Sequence, residues 1–117
     1  MSYHYNFKDV LGRSERITWR VEDLIGEGKT LDFSKRFMPE NLARVDGMTF
    51  LAPSEMRVLN QIRGHEYLAM FGLVEEFILP YVVDHARSKL SGDDYQTRAL
   101  LQFAGEEAKH IHLFKRF

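Results

Sequence analysis

A long run of helical periodicity, a compact polar turn and a second helical run fill the C-terminal half of this chain, and they leave it little choice but a helix hairpin. The first pattern spans 54–89. Val58, Leu59, Ile62, Leu68, Phe71, Val74, Ile78 and Val82 recur at the spacing of one helix face, and Glu55 stands in the first turn, where the helix dipole favours negative charge. Gly64, Gly72 and Pro80 interrupt it, which predicts kinks or a break. Ser91-Gly92-Asp93-Asp94 is a turn in which either aspartate can cap the following helix. That helix runs from about residue 95 to the end, with Ala99, Leu100, Phe103, Ala104, Ile111 and Phe114 along one side.

The N-terminal part is less regular. Residues 1–13 carry no clear period. Ser14 is placed to cap a short helix over 14–25, with Ile17, Val21, Leu24 and Ile25 as its stripe and Gly26 and Gly28 as its stop. Punctuation at Pro39, Gly47 and Pro53 makes 29–53 irregular, with a helical turn over 39–45. No strand alternation and no internal repeat is visible. The expected fold is all-α: an N-terminal irregular helical segment, 1–52, wrapped over a hairpin, 53–117.

Bulk properties exclude several functions. A net charge of -1 over 117 residues offers no basic field for nucleic acid. The absence of cysteine rules out disulfides, thiolate zinc sites and iron–sulfur clusters within the chain, and fits a reducing cytoplasm. Met1-Ser2-Tyr3-His4 opens no secretory leader, and the longest apolar run, 77–83, is far short of the roughly 20 residues of a membrane helix.

The chemistry lies in Glu107-Ala108-Lys109-His110 and in the adjacent pair Glu75-Glu76. Positions i and i+3 share a helix face, so Glu107 and His110 can hold one metal ion. Both fall in the apolar arc of their helix, with Arg98, Gln102, Lys109 and Arg116 opposite. An ionised glutamate there costs several kcal/mol unless something compensates it. On the partner helix Glu75 lies between Leu68, Phe71, Ile78, Leu79 and Val82, whereas Glu76 faces the polar side. Glu75 is therefore the preferred ligand and Glu76 the alternative, because a kink at Pro80 would rotate the phase. Register agrees: Glu75 lies ~22 Å of helix before the turn and Glu107 ~20 Å after it, whereas Glu66 misses that level by ~14 Å. The metal-free account is that these groups pair with Arg63, Arg87 or Arg98. His112 points away from the Glu107–His110 face, and His4, His65 and His85 follow no ligand spacing.

Val74-Glu75-Glu76-Phe77-Ile78, the turn, and Glu106-Glu107-Ala108-Lys109-His110 resemble the first half of a ferritin-like di-iron carboxylate protein, most of all its p-aminobenzoate N-oxygenase-like branch. The likeness covers 53–117. It implies half of a four-helix di-metal bundle, in which the first glutamate is a terminal iron ligand, Glu107 bridges two irons and His110 completes the coordination of one. It implies an oxidoreductase that takes dioxygen and a small organic substrate such as an arylamine, with manganese as a possible substitute for iron. A ferritin-like protein that binds or oxidises iron, and a metal-free helical interaction module, are the alternatives. An oxygenase needs an apolar pocket, which Met70, Phe71 and Phe103 could line. Proteins of this kind carry a second glutamate helix and a second Glu-x-x-His helix, and this sequence has neither. The expectation is a chain truncated at its C-terminus or a homodimer about a two-fold axis, inactive as a monomer, with an uncovered apolar face that makes it unstable, aggregating or dimeric.

Overall fold

The computed structural model describes residues 5–117. Five helices follow one another in the order α1 (Phe7–Ser14), α2 (Val21–Leu24), α3 (Glu40–Ala43), α4 (Pro53–Arg87) and α5 (Asp94–Phe114), and no strand occurs among the described residues. Met1–His4, including His4, lie outside them. The expected all-α class holds. The molecule measures 61 × 38 × 26 Å, its long axis set by α4, whose 35 residues make ~52 Å of helix.

α4 and α5 form the hairpin. α4 starts with Pro53 at its first helical position, and the Glu55 carboxylate accepts from the Ala52 N–H at 2.7 Å, closing the helix start against the dipole. Asp93 caps α5 by accepting from the Tyr95 N–H at 2.9 Å. The Thr97 hydroxyl then donates to the Lys89 carbonyl at 3.0 Å, fastening the turn to the end of α4. Small residues line the contact between the rods: Gly72 and Ala86 on α4, and Ala99 and Ala104 on α5, are all buried.

The expected break in α4 does not occur; the helix runs unbroken through Gly64, Gly72 and Pro80. The two glycines serve close approach instead. A methyl group on Gly64 would stand 2.9 Å from Cβ of Phe37, and one on Gly72 would stand 3.2 Å from Cβ of Phe114. Each marks a place where another part of the chain lies directly on the helix backbone.

The N-terminal segment departs from expectation. The helix is α1, residues 7–14, capped by the Asn6 side chain, which accepts from the Lys8 N–H at 2.9 Å. Ser14 ends this helix rather than starting one, its hydroxyl donating to the Leu11 carbonyl at 2.9 Å. Of the helix expected over 14–25 only the single turn α2 forms, opened by the Asp23 carboxylate accepting from the Arg20 N–H at 3.1 Å. The β-branched and aromatic run Ile17-Thr18-Trp19 is a poor helix former, and Trp19 is drawn onto α5. The intended stripe does not exist as such: Val21 is buried but Ile17 and Leu24 are exposed.

α1 and α2 pack on α5, and α3 packs on α4. Around α3, Met38, Ala43 and Val45 form a buried cluster against Met56 and Leu59 of α4. The segment before α3 has no helix or sheet to satisfy its backbone, and two α4 side chains do so. Asn60 is completely buried; its Oδ1 accepts from the N–H groups of Phe37 (2.8 Å) and Met38 (3.0 Å), and its Nδ2 donates to the Met38 carbonyl (2.8 Å). Gln61 Nε2 donates to the carbonyls of Phe33 (2.8 Å) and Lys35 (2.7 Å). Asn60→Leu strands three buried backbone groups at once and is expected to cost about 2–3 kcal/mol in urea unfolding, well above the effect of a surface substitution.

The hairpin leaves an apolar surface uncovered. Phe71, Val74 and Ile78 on α4 and Leu101 and Phe103 on α5 are between 37% and 51% exposed, and Met70, Leu73, Phe77 and Tyr81 more than 60%. No helix of the described residues is long and apolar enough to cross a membrane.

Candidate metal centre

Folding the hairpin at residues 88–93 brings Glu75 of α4 level with Glu107 and His110 of α5. One ligand atom from each of the three lies within 4.8 Å of the other two. His110 Nδ1 is 3.3 Å from Glu75 Oε1 and 3.6 Å from Glu107 Oε2. Glu107 is 8% exposed, whereas Phe103, one turn before it, is 47% exposed. A carboxylate is thus more deeply enclosed than its phenylalanine neighbour, the reverse of what solvation alone would arrange.

Glu76 takes no part in this cluster. It is exposed and paired with Lys115. Pro80 therefore does not rotate α4 enough to exchange the two glutamates. Glu66 is exposed, His112 is exposed, and His65 packs edge-on against the Phe37 ring at 5.6 Å between centres.

The metal-free pairing with arginine is not what forms. Arg87 pairs with Asp84 at 3.2 Å, and Arg98 with Glu15 at 2.9 Å and Asp94 at 3.6 Å. Arg63 lines a surface groove with Met38, Leu42 and Glu66. Among the described residues His110 is the sole basic group within ion-pair distance of Glu75 or Glu107. Two atoms of the cluster, Glu75 Oε2 and His110 Nδ1, are buried and have no hydrogen-bond partner among the described residues. Buried polar atoms without partners are rare in folded proteins, and these two point to a missing electrophile. A set of two carboxylates and an imidazole suits a divalent first-row ion such as iron or manganese. The residues present fit such an ion.

Burial pushes the Glu75 carboxyl above the usual carboxylate range; His110 pulls it back down, and the Glu107 carboxylate pushes it up again. Burial comes first because an anion loses hydration in this interior without gaining a fixed cation.

Sequence reasoning placed no function on Trp19, Glu106 or on Lys109, which it assigned to the surface. The structure brings all three to the site. The Trp19 indole stacks on the His110 ring, 5.6 Å between centres and 18° between planes, and Lys109 and Glu106 hold it there. The adjacency of Glu106 and Lys109 to the ligand pair was the available signal. The aromatic neighbourhood continues through Phe114, 6.3 Å from His110, to Phe71, 6.2 Å further on. Phe71 and Phe103 are half exposed rather than enclosing a pocket. A half-open cavity of about 380 Å³ lies nearer the start of α4, among Phe37, Met38, His65, Tyr67, Leu68 and Phe117.

No protein-family model, curated protein or solved structure matches the chain.

The raised Glu75 carboxyl sets a pH dependence. Because the folded state holds the Glu75 proton more tightly than the unfolded state, the Glu75 contribution to metal-free stability is fully present below the ordinary carboxylate range and is lost as pH rises through the elevated folded value. Glu75→Gln, a neutral copy of the protonated acid, is expected to raise the thermal midpoint of the metal-free protein at pH 7. That gain shrinks towards zero as the pH is lowered below 4 or so. A Gln variant that is no more stable at pH 7, or a gain independent of pH, would show that Glu75 is not strained as an anion.

Proposed function

We propose that this chain binds a divalent transition-metal ion, iron in the first instance, through Glu75, Glu107 and His110. We propose further that the hairpin is one half of a carboxylate-bridged di-iron centre of the ferritin-like kind, acting as an oxygenase on a small organic substrate. The observation that carries the reading is the convergence of three potential ligands from two helices around two buried atoms, Glu75 Oε2 and His110 Nδ1, that make no hydrogen bond among the described residues.

Bound there, iron would supply the redox chemistry that activates dioxygen. The protein's own part is to set two carboxylates and one imidazole at a common level and to keep arginine and lysine away from them. Small residues at the α4–α5 contact let the helices approach closely enough for ligands on both to reach one ion.

A glutamate from one helix and a Glu-x-x-His from the next make half of a di-iron ligand set; a second such hairpin completes it. A second copy of this chain, packed about a two-fold axis, provides one of the same kind. The exposed side chains of Phe71, Val74, Ile78 and Phe103 offer an apolar surface for that packing. In a dimer of this form a change at Phe103 acts twice, so Phe103→Glu is expected to shift sedimentation equilibrium towards monomer.

Anaerobic titration with ferrous iron followed by oxygen is the direct test. The chain is expected to take up about one iron per protomer and to develop near-ultraviolet charge-transfer absorption on oxidation. Glu75→Ala, Glu107→Ala and His110→Ala should each abolish stoichiometric uptake, whereas Glu76→Ala should leave it intact. Iron stoichiometry unchanged in all four variants would remove the metal reading.

A further inference from the structure

Trp19 is the single tryptophan of the chain and lies in the non-helical connection between α1 and α2, yet several separate contacts fix it to α5. Its Nε1–H donates to Glu106 Oε2 at 2.8 Å. Its carbonyl accepts from Lys109 Nζ at 3.2 Å, and that ammonium stands 4.6 Å from the centre of the indole ring. The loop of contacts is closed by Lys109 Nζ against Glu106 Oε1 at 2.5 Å, with both side chains largely sheltered from solvent. The held indole lies flat on the imidazole of His110.

The five residues Glu106-Glu107-Ala108-Lys109-His110 therefore encode two pairs, each with i,i+3 spacing and offset by one position. Glu107 and His110 turn towards Glu75 of α4. Glu106 and Lys109 lie on the neighbouring stripe and grip the tryptophan. Hydrophobic packing accounts for an indole against a helix, but not for a polar clamp that engages both its N–H and its backbone carbonyl from the residues beside the ligands.

An imidazole has two unlike nitrogens and two torsions, so its use as a ligand depends on what holds the ring plane. Here one face of the ring is blocked by indole, and Nδ1 is the nitrogen directed at Glu75 and Glu107. We infer that Trp19, clamped by Glu106 and Lys109, is a positioning residue that fixes the His110 ring with Nδ1 as the metal-ligating atom. This rests on the metal reading above, because it assigns the orientation of one of that site's ligands.

The test is a cobalt(II) titration of the full chain, reading affinity and the visible ligand-field spectrum, in wild type, Trp19→Leu, Trp19→Phe and Lys109→Met. Trp19→Leu is expected to weaken cobalt binding by roughly 10- to 100-fold, the usual effect of losing a group that orients a ligand, and to alter the spectrum. Trp19→Phe keeps a stacking ring and should recover most of both. Lys109→Met leaves the indole in place but loosens its clamp, and should fall between. Circular dichroism checks that each variant is folded; if Trp19→Leu is not, Lys109→Met decides, since it removes no buried ring. Folded variants with wild-type affinity and spectrum overturn the inference. So does a lowered melting temperature with an unchanged spectrum, which marks a purely structural tryptophan. Failure of wild type to take up cobalt sinks the metal reading itself, a result distinct from uptake that is indifferent to Trp19.

Discussion

Two carboxylates set between α4 and α5 with a single imidazole as their ion-pair partner among the described residues are the constraint on which the hairpin turns. Glu75 and Glu107 lie within the hairpin, and among the described residues no arginine or lysine reaches them and the one basic neighbour is an imidazole whose Nδ1 lacks a hydrogen bond. In a protein interior such a pair is costly in every state except two: with a proton shared in the cluster, or with a cation held by it. Burial, which raises the Glu75 carboxyl, favours the first solution. The geometry of the three ligand atoms suits the second. A fold that wanted only stability would be served better by leucine at these positions.

Much of the architecture exists to bring these groups to one level. The turn at 88–93 sets the register, with Asp93 starting α5 and Thr97 tying it back to Lys89. Gly72 allows Phe114 to lie on the α4 backbone just one turn from Glu75. On the other side of α5, the connection carrying Trp19 closes over His110. The site is thus assembled from the hairpin, whose contacts are set by one short turn, and from a strap some ninety residues away in sequence that supplies no ligand.

The hairpin and the clustering of Glu75, Glu107 and His110 were legible because they follow from periodicity and arithmetic. Helical phase favours Glu75 over Glu76 without deciding between them across Pro80, and counting residues from the turn brings Glu75 level with Glu107 and excludes Glu66. The N-terminal segment was not legible because its conformation is set by distant partners. Ser14 looks like a helix start, but Asn6 caps the real helix and Trp19 is taken from the expected one by Glu106 and Lys109. Gly64 and Gly72 read as helix interruptions for the same reason: what makes them necessary is Phe37 and Phe114, which no local window contains. The open apolar surface of the hairpin was foreseeable, since the apolar arcs of two helices are wider than the contact between them.

Asn60 has a consequence for motion. The irregular stretch before α3 owns almost no regular structure, yet the amides of Phe37 and Met38 both end on the side chain of Asn60, two turns into a long helix. Their protection against hydrogen exchange is therefore borrowed from α4 rather than generated locally. Two loop amides should exchange on the slow timescale of helix opening, while their neighbours that end on solvent exchange freely. A segment with the look of a loop is, at those two positions, as firmly held as the rod it crosses.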